Sequence, residues 1–102
     1  MNYKPRKSSK RWLEGAPAPV LAVYDNGGKS FDRYTVLYGA PLWTPDYGTT
    51  VPARAMSENP FHPQGFGMYV EVPAHVRHQY GKKIRFADLP EQCRKCVEQD
   101  CS

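Results

Sequence analysis

Four polar side chains surround a glycine pair in the first third of the chain, where Asp25 and Asn26 precede Gly27-Gly28 and Asp32 and Arg33 follow them. Two neighbouring carboxylates can shift one another's pKa or hold a cation. The simpler interpretation is a turn in which an aspartate accepts hydrogen bonds from its own backbone and pairs with Arg33. The sequence favours this second interpretation and leaves the cation site open.

A second polar stretch occupies residues 56–66 and contains Asn59, His62, Gln64 and Phe66. Pro60 and Pro63 stiffen its backbone, and preorganised polar groups on a stiff loop suit recognition. The plainer alternative is a loop whose amides satisfy neighbouring backbone groups. His62 could act as a general base, but the chain has no GxSxG or other nucleophile motif to accompany it.

Two pairs of metal-ligand residues lie near the end of the chain, namely His75 with His78 and Cys93 with Cys96. Four such ligands could hold a structural zinc ion in tetrahedral geometry. However, both cysteines also fall on the apolar stripe of a predicted helix, where a small hydrophobic residue is expected. We therefore expect no metal and no cofactor.

The positive charge is concentrated at the N-terminus. The formal net charge is +4, yet the first eleven residues hold five basic residues and no acid, so the remainder is close to neutral. A basic arm can contribute salt-sensitive affinity for nucleic acid. The residues of this alternative binding site are Lys4, Arg6, Lys7, Lys10 and Arg11.

A β-hairpin is the clearest element that could position the first polar stretch. Residues 20–24 and 33–38 are rich in β-branched and aromatic residues, and the intervening Asp-Asn-Gly-Gly is typical of a hairpin turn. Because the loop is long, we expect some bulge. Alternation places Tyr34, Val36 and Tyr38 on one face, with Arg33, Thr35 and Leu37 on the other, so Arg33 and Tyr34 should not share a site.

The rest of the chain predicts less regular structure. Residues 40–67 contain five prolines and show no sustained period, so we expect a long irregular loop with at most one short strand near Leu42 and Trp43. A strand is predicted over 68–72, with Met68, Val70 and Val72 inward, and a short one over 84–86. A helix should follow, capped by Asp88 with Glu91 three residues on, and with an apolar stripe of Leu89, Cys93, Cys96 and Val97.

The 102-residue length allows one modest domain and excludes a doubly wound nucleotide fold with a separate substrate domain. The predicted fold class is α+β, with a small antiparallel sheet, a long loop rich in proline and aromatic residues, and one C-terminal helix. Residues 1–19 are predicted to form a basic, proline-containing arm, and residues 20–102 a single α+β domain.

Several segments together resemble small uncharacterised proteins of bacteriophages and prophages. They are YDNGG at 24–28, DRYT at 32–35, MSENPFHPQGF at 56–66 and DLP at 88–90. The resemblance covers roughly residues 20–98 and implies a phage-type protein that acts in the host cell. It transfers no chemistry, and the basic arm and the three late cysteines lie outside the pattern.

The sequence favours a non-enzymatic interaction protein that binds a host or phage macromolecule, most simply a protein partner. The binding surface would be the 56–66 loop and the adjacent hairpin tip. Nucleic-acid binding through the arm is the alternative, and a small enzyme using Asp25, Asp32 and His62 is the second. No apolar run is long enough to span a membrane and no secretory signal is visible, so we expect a cytoplasmic location.

Overall fold

The computed structural model describes residues 11–39, 41–74 and 80–102. Within these residues, six strands form one antiparallel sheet. The order of hydrogen-bonded neighbours is β3-β4-β2-β1-β6, and β5 pairs with β4 in addition. A short 3-10 helix and one longer helix follow. The elements are β1 (Val20–Asp25), β2 (Tyr34–Tyr38), β3 (Leu42–Thr44), β4 (Gly48–Met56), β5 (Gly67–Pro73), β6 (Lys82–Ile84), the 3-10 helix (Phe86–Asp88) and α1 (Glu91–Asp100). The α+β prediction is confirmed.

The predicted hairpin of β1 and β2 is confirmed, with Asp25 opposite Tyr34 at the tip and Val20 opposite Tyr38 at the base. Gly27 and Gly28 both have positive φ, at 77° and 86°, which explains why glycine occupies these positions of the turn. The register shift lies between Val20 and Ala22, at the end of β1 away from the turn. The expected bulge therefore exists, but it does not shape the tip.

The prediction that residues 40–67 form one irregular segment is wrong. The short strand near Leu42 is present as β3, but residues 48–56 form β4, the strand with the most partners, which pairs with β2, β3 and β5. The sequence did not predict this strand, which contains Pro52, because proline is normally excluded from sheet interiors. It is tolerated because the registers of β3 and β2 along β4 stop at Thr50 and Ala53, one on either side of it.

Both faces of the sheet are covered. On one face, residues of β1 and alternate residues of β2 lie in one buried cluster with α1. All four members of the predicted stripe are buried in it, but Leu89 precedes α1, so only Cys93, Cys96 and Val97 belong to the helix. On the other face, residues of β1, β2 and β4 form a second buried cluster, against which the partly buried Tyr80 packs. Its members are Ala22, Tyr24, Leu37, Val51 and Ala53. The alternation predicted for β2 is confirmed, since Val36 lies in the first cluster and Leu37 in the second.

Three local predictions need correction. Asp88 does not cap α1, because its carboxylate accepts hydrogen bonds from the backbone N–H and guanidinium of Arg85, and Pro90 occupies the cap position. The short strand predicted over 84–86 covers Lys82–Ile84 instead, since Phe86 turns into the core from the 3-10 helix. On β5, Val70 and Val72 pack inward as predicted, whereas Met68 remains 47% exposed.

The last part of the predicted arm contacts the sheet and α1. Leu13 and Ala16 pack against the cluster beneath α1, and the Lys83 ammonium lies 5.3 Å from the ring centre of Trp12. Arg11 is exposed, whereas Lys4, Arg6, Lys7 and Lys10 fall outside the described residues. None of the helices in the described ranges is long and apolar enough to cross a membrane.

Candidate functional site

An open cleft of about 640 Å³ lies between the hairpin tip and the β4–β5 loop, which we define as residues 57–66. Because β2 pairs with β4, the loops at one end of these strands are brought side by side. The tip, defined as residues 26–33, forms one wall of the cleft and the β4–β5 loop forms the other. The lining residues are Gly28, Lys29, Ser30, Phe31 and Arg33 of the tip, with Ser57, Glu58, Asn59, His62, Gln64 and Gly65 of the loop.

The tip wall is held by the two side chains that begin the turn. Asp25 Oδ1 accepts a hydrogen bond from the Gly27 N–H at 2.7 Å, and Asn26 Oδ1 accepts from the N–H groups of Gly28 and Lys29. Asp32 accepts from the Ser30 hydroxyl at 2.6 Å. The aspartates are thus engaged within the turn, which supports the turn interpretation over a shared carboxylate site.

Arg33 joins the two walls. Its Nε and Nη2 donate to the two carboxylate oxygens of Asp25 at 2.8 and 3.1 Å, and its Nη1 donates to Glu58 Oε1 at 2.9 Å. The pKa of Asp25 is lowered, chiefly by these hydrogen bonds from Arg33. The guanidinium carbon also lies 5.2 Å from the ring centre of Tyr34. The two side chains are thus in contact, because Arg33 precedes β2 and does not follow the alternation of the strand. Tyr34 is buried and does not line the cleft, so the expectation that the two residues form no common site within the strand stays a prediction.

The β4–β5 loop is closed at its base by Ser57 and Phe66. The Ser57 N–H donates to the Phe66 carbonyl at 2.8 Å, and the Ser57 hydroxyl accepts from the Phe66 N–H at the same distance. Across the loop, a Cβ atom at Gly65 would lie 2.0 Å from the Asn59 carbonyl oxygen. Only glycine permits this close approach of the two backbone segments.

Two polar side chains of the loop use their acceptor atoms internally. Asn59 Oδ1 accepts from the Phe61 N–H at 3.2 Å, and His62 Nδ1 accepts from the Gln64 N–H at 3.0 Å. The amide NH2 of Asn59 and the Nε2–H of His62 are the groups left for a ligand. His62 is thus arranged as a hydrogen-bond donor toward the cleft rather than as a base through Nδ1.

Cys93 supports the loop from beneath. Its Sγ lies 3.2 Å from the Ser57 carbonyl oxygen, to which the thiol donates, and 3.5 Å from that of Glu58. Burial raises the pKa of the Cys93 thiol to about 12, and burial also raises the pKa of Cys96. Both thiols are therefore held in the protonated form.

His75 and His78, the other two residues of the zinc alternative, lie outside the described residues. Within the ranges that the structure covers, no group of three or more His, Cys, Asp or Glu side chains is arranged to hold a metal ion. The pair of cysteines on α1 instead packs in the core cluster between the helix and the sheet.

The structure brings four of the predicted binding residues to the cleft: Arg33, Asn59, His62 and Gln64. Asp25 and Asn26 shape the tip from behind, Asp32 fixes Ser30, and Phe66 closes the base of the loop. Sequence reasoning missed Lys29, Ser30, Phe31 and Glu58. Of these, Phe31 could have been found from the sequence, because a phenylalanine close to a Gly-Gly turn is a candidate for a contact residue. In the structure it is 67% exposed.

Comparison with known proteins found no match: no family model, curated protein sequence or solved structure resembles this chain closely enough to be recognised.

Proposed function

We propose that this chain is a non-enzymatic interaction protein, of the bacteriophage type that its motifs resemble, which binds a protein partner through the cleft. The observation that supports the proposal best is the meeting of the tip and the β4–β5 loop around one cavity of about 640 Å³. Both walls are internally hydrogen-bonded and linked by Arg33 and Glu58. A surface that is already ordered loses little conformational entropy when a partner binds.

The chemistry of the walls suits recognition better than catalysis. Asp25, Asp32 and His62, the residues of the enzyme alternative, each use a side-chain acceptor atom for a bond inside their own loop. The cleft instead presents an exposed aromatic ring at Phe31 and the amide of Gln64. Aromatic rings and amides are typical contact groups of protein interfaces.

Partner capture with two matched double variants tests this proposal. Phe31→Ala/Gln64→Ala removes an exposed ring and an amide that makes no hydrogen bond among the described residues, so the loop itself should persist. Tyr47→Ala/Gln99→Ala removes the same chemistry from exposed positions elsewhere. We expect proteins captured from host lysate by the unaltered chain to be lost from the first variant and retained by the second. The reverse result, or equal retention by both, would contradict the proposal.

Nucleic-acid binding remains the second candidate because of two exposed rings at the other end of the sheet. Trp43 on β3 is 66% exposed and Tyr47 in the following turn is 78% exposed, and such rings can stack on unpaired bases. Deletion of residues 1–11 and the pair Trp43→Ala/Tyr47→Ala should each weaken oligonucleotide binding if this candidate holds. Binding that is absent, or that neither change affects, excludes it.

A further inference from the structure

The hydrogen bonds inside the cleft leave it with an excess of donors. Asn59 and His62 each give their acceptor atom to a backbone N–H, so that an NH2 group and an Nε2–H remain. The Gln64 side chain makes no hydrogen bond within the part of the chain that the structure describes and can turn its NH2 group toward a ligand. Apart from the Glu58 carboxylate and the amide oxygen of Gln64, the side chains of the β4–β5 loop that line the cleft therefore present N–H groups.

The tip wall adds positive charge to these donors. Lys29 lines the cleft, and in the described ranges its ammonium forms no ion pair. Arg33 has five N–H donors, of which three are used by Asp25 and Glu58, so two remain. A group rich in hydrogen-bond acceptors would satisfy the free donors of both walls at once.

The charge balance favours one carboxylate over a polyanion. Arg33 is paired with both Asp25 and Glu58, so the cleft carries no net positive charge, and the Lys29 ammonium is the cation that forms no ion pair among the described residues. Glu58 also lines the cleft, and its side chain is 66% exposed, so it repels a doubly charged phosphate or a nucleic-acid backbone more strongly than a single carboxylate. Beside these groups, Phe31 offers an apolar surface to the residue next to the acid.

We propose that the cleft recognises an acidic peptide segment, in which an aspartate or glutamate carboxylate meets Lys29 and the donors of the β4–β5 loop while a neighbouring apolar side chain packs on Phe31. This proposal rests on the function proposed above and names the chemistry of the partner. The donors select the carboxylate over the matching amide, because an amide brings an NH2 group that faces N–H groups already in excess.

Short capped peptides provide the test, with binding followed by amide chemical shifts of residues 28–31 and 58–65. The probes are acetylated and amidated Gly-Asp-Phe-Gly, the same peptide with asparagine or lysine in place of aspartate, inorganic phosphate and a short DNA oligonucleotide. We expect the aspartate peptide to bind about tenfold more tightly than the asparagine peptide. Lys29→Gln should weaken it about threefold to fivefold, and Lys95→Gln, on the exposed face of α1, should leave it unchanged.

Two isosteric variants test the donor groups directly. Asn59→Asp keeps the oxygen that accepts from the Phe61 N–H but replaces the outward NH2 with an acceptor, and Gln64→Glu makes the same exchange. We expect the double variant to lose more than tenfold in affinity for the aspartate peptide and to bind the lysine peptide better than the unaltered chain does.

Several results would overturn the proposal: equal binding of the asparagine peptide, preferential binding of the lysine peptide or the oligonucleotide, or no shift at the cleft with any peptide. These failures are distinguishable from failure of the proposed function. Partner capture that still depends on Phe31 and Gln64 would keep the cleft as the interface and remove only its acidic preference.

Discussion

Two arginine–aspartate pairs of nearly the same construction lie in different parts of the molecule. At the tip, Arg33 holds Asp25 through Nε and Nη2 and lies over the ring of Tyr34. Beneath the end of α1, Arg54 holds Asp100 through the same two nitrogens and lies 5.3 Å from the ring centre of Tyr69.

Their surroundings give the two pairs different tasks. The side chains of Arg54 and Asp100 are 19% and 13% exposed, and Asp100 also accepts from the Tyr38 hydroxyl at 2.6 Å. This pair fastens the last turn of α1 to β2 and β4. Arg33 donates its third hydrogen bond to Glu58, whose side chain is 66% exposed. The Arg33–Asp25 pair therefore helps to arrange the wall of an open cleft. The same chemical unit therefore stabilises the fold where it is enclosed and preorganises a surface where it is open.

Removing Asp100 should have the largest effect. Asp100→Ala leaves the Arg54 guanidinium and the Tyr38 hydroxyl without their acceptor in a mostly buried setting. We expect the free energy of unfolding to fall by about 3 kcal/mol, measured by urea denaturation. Glu98→Ala, two residues before Asp100 and on the exposed side of α1, should change the free energy of unfolding by less than about 0.5 kcal/mol. Equal midpoints for the two variants would contradict the fastening role.

The β4–β5 loop can be broken without touching that pair. In Gly65→Ala, the added methyl group would meet the Asn59 carbonyl oxygen at 2.0 Å, whereas in Gly39→Ala the nearest atom is a Leu21 side-chain carbon at 3.4 Å. We expect Gly65→Ala to cost about 2 kcal/mol and to remove hydrogen-exchange protection from the Ser57 and Phe66 amides. Unchanged protection of those amides would show that the loop tolerates the methyl group.

The tip pair should be visible in the titration of Asp25. Arg33 holds the pKa of this carboxyl below 3.8, so its contribution to stability is fully present above about pH 3.8 and is lost as the pH falls through the lowered value. In Arg33→Gln, we expect the Asp25 midpoint in carboxyl NMR spectra to rise. The Asp88 midpoint, which Arg85 lowers in the same way, serves as the internal control and should not move.

The smallest effect is expected for Glu58. Glu58→Gln removes the exposed arm of the Arg33 bridge, and such pairs contribute little because water screens them. We expect the melting temperature to shift by less than about 2 °C. A decrease as large as that of Asp100→Ala, measured by calorimetry, would remove the distinction between the enclosed and the open pair.

The parts of the fold that depend on neighbours in sequence could be predicted. The turn after Asp25 needs only two glycines at its positions of positive φ, and the buried face of α1 at Cys93, Cys96 and Val97 needs only a 3.6-residue period. Where two local patterns compete, prediction fails: Asp88 has suitable partners three residues away on both sides, and Arg85 forms the contact because its guanidinium adds a charge-assisted bond.

The parts that depend on distant partners could not be predicted. β4 has a proline in its middle and alanines on its buried face, so nothing local identifies it, and its regularity comes from pairing with β2 and β5. The cleft depends on the same pairing, because Arg33 and Glu58 are 25 residues apart and meet only when β2 and β4 align. Sequence reasoning therefore found the polar residues of both walls but not the lysine, the exposed ring or the acid that complete them.

The contact of Cys93 with the Ser57 and Glu58 carbonyls has an evolutionary consequence. A side chain larger than cysteine at this point of α1 would push one wall of the cleft outward, and a smaller one would let it sink. Because the contact is to main-chain carbonyls, a substitution at position 93 should alter the shape of the cleft whichever side chains stand at positions 57 and 58, so that selection on the buried helix and selection on the cleft are not independent.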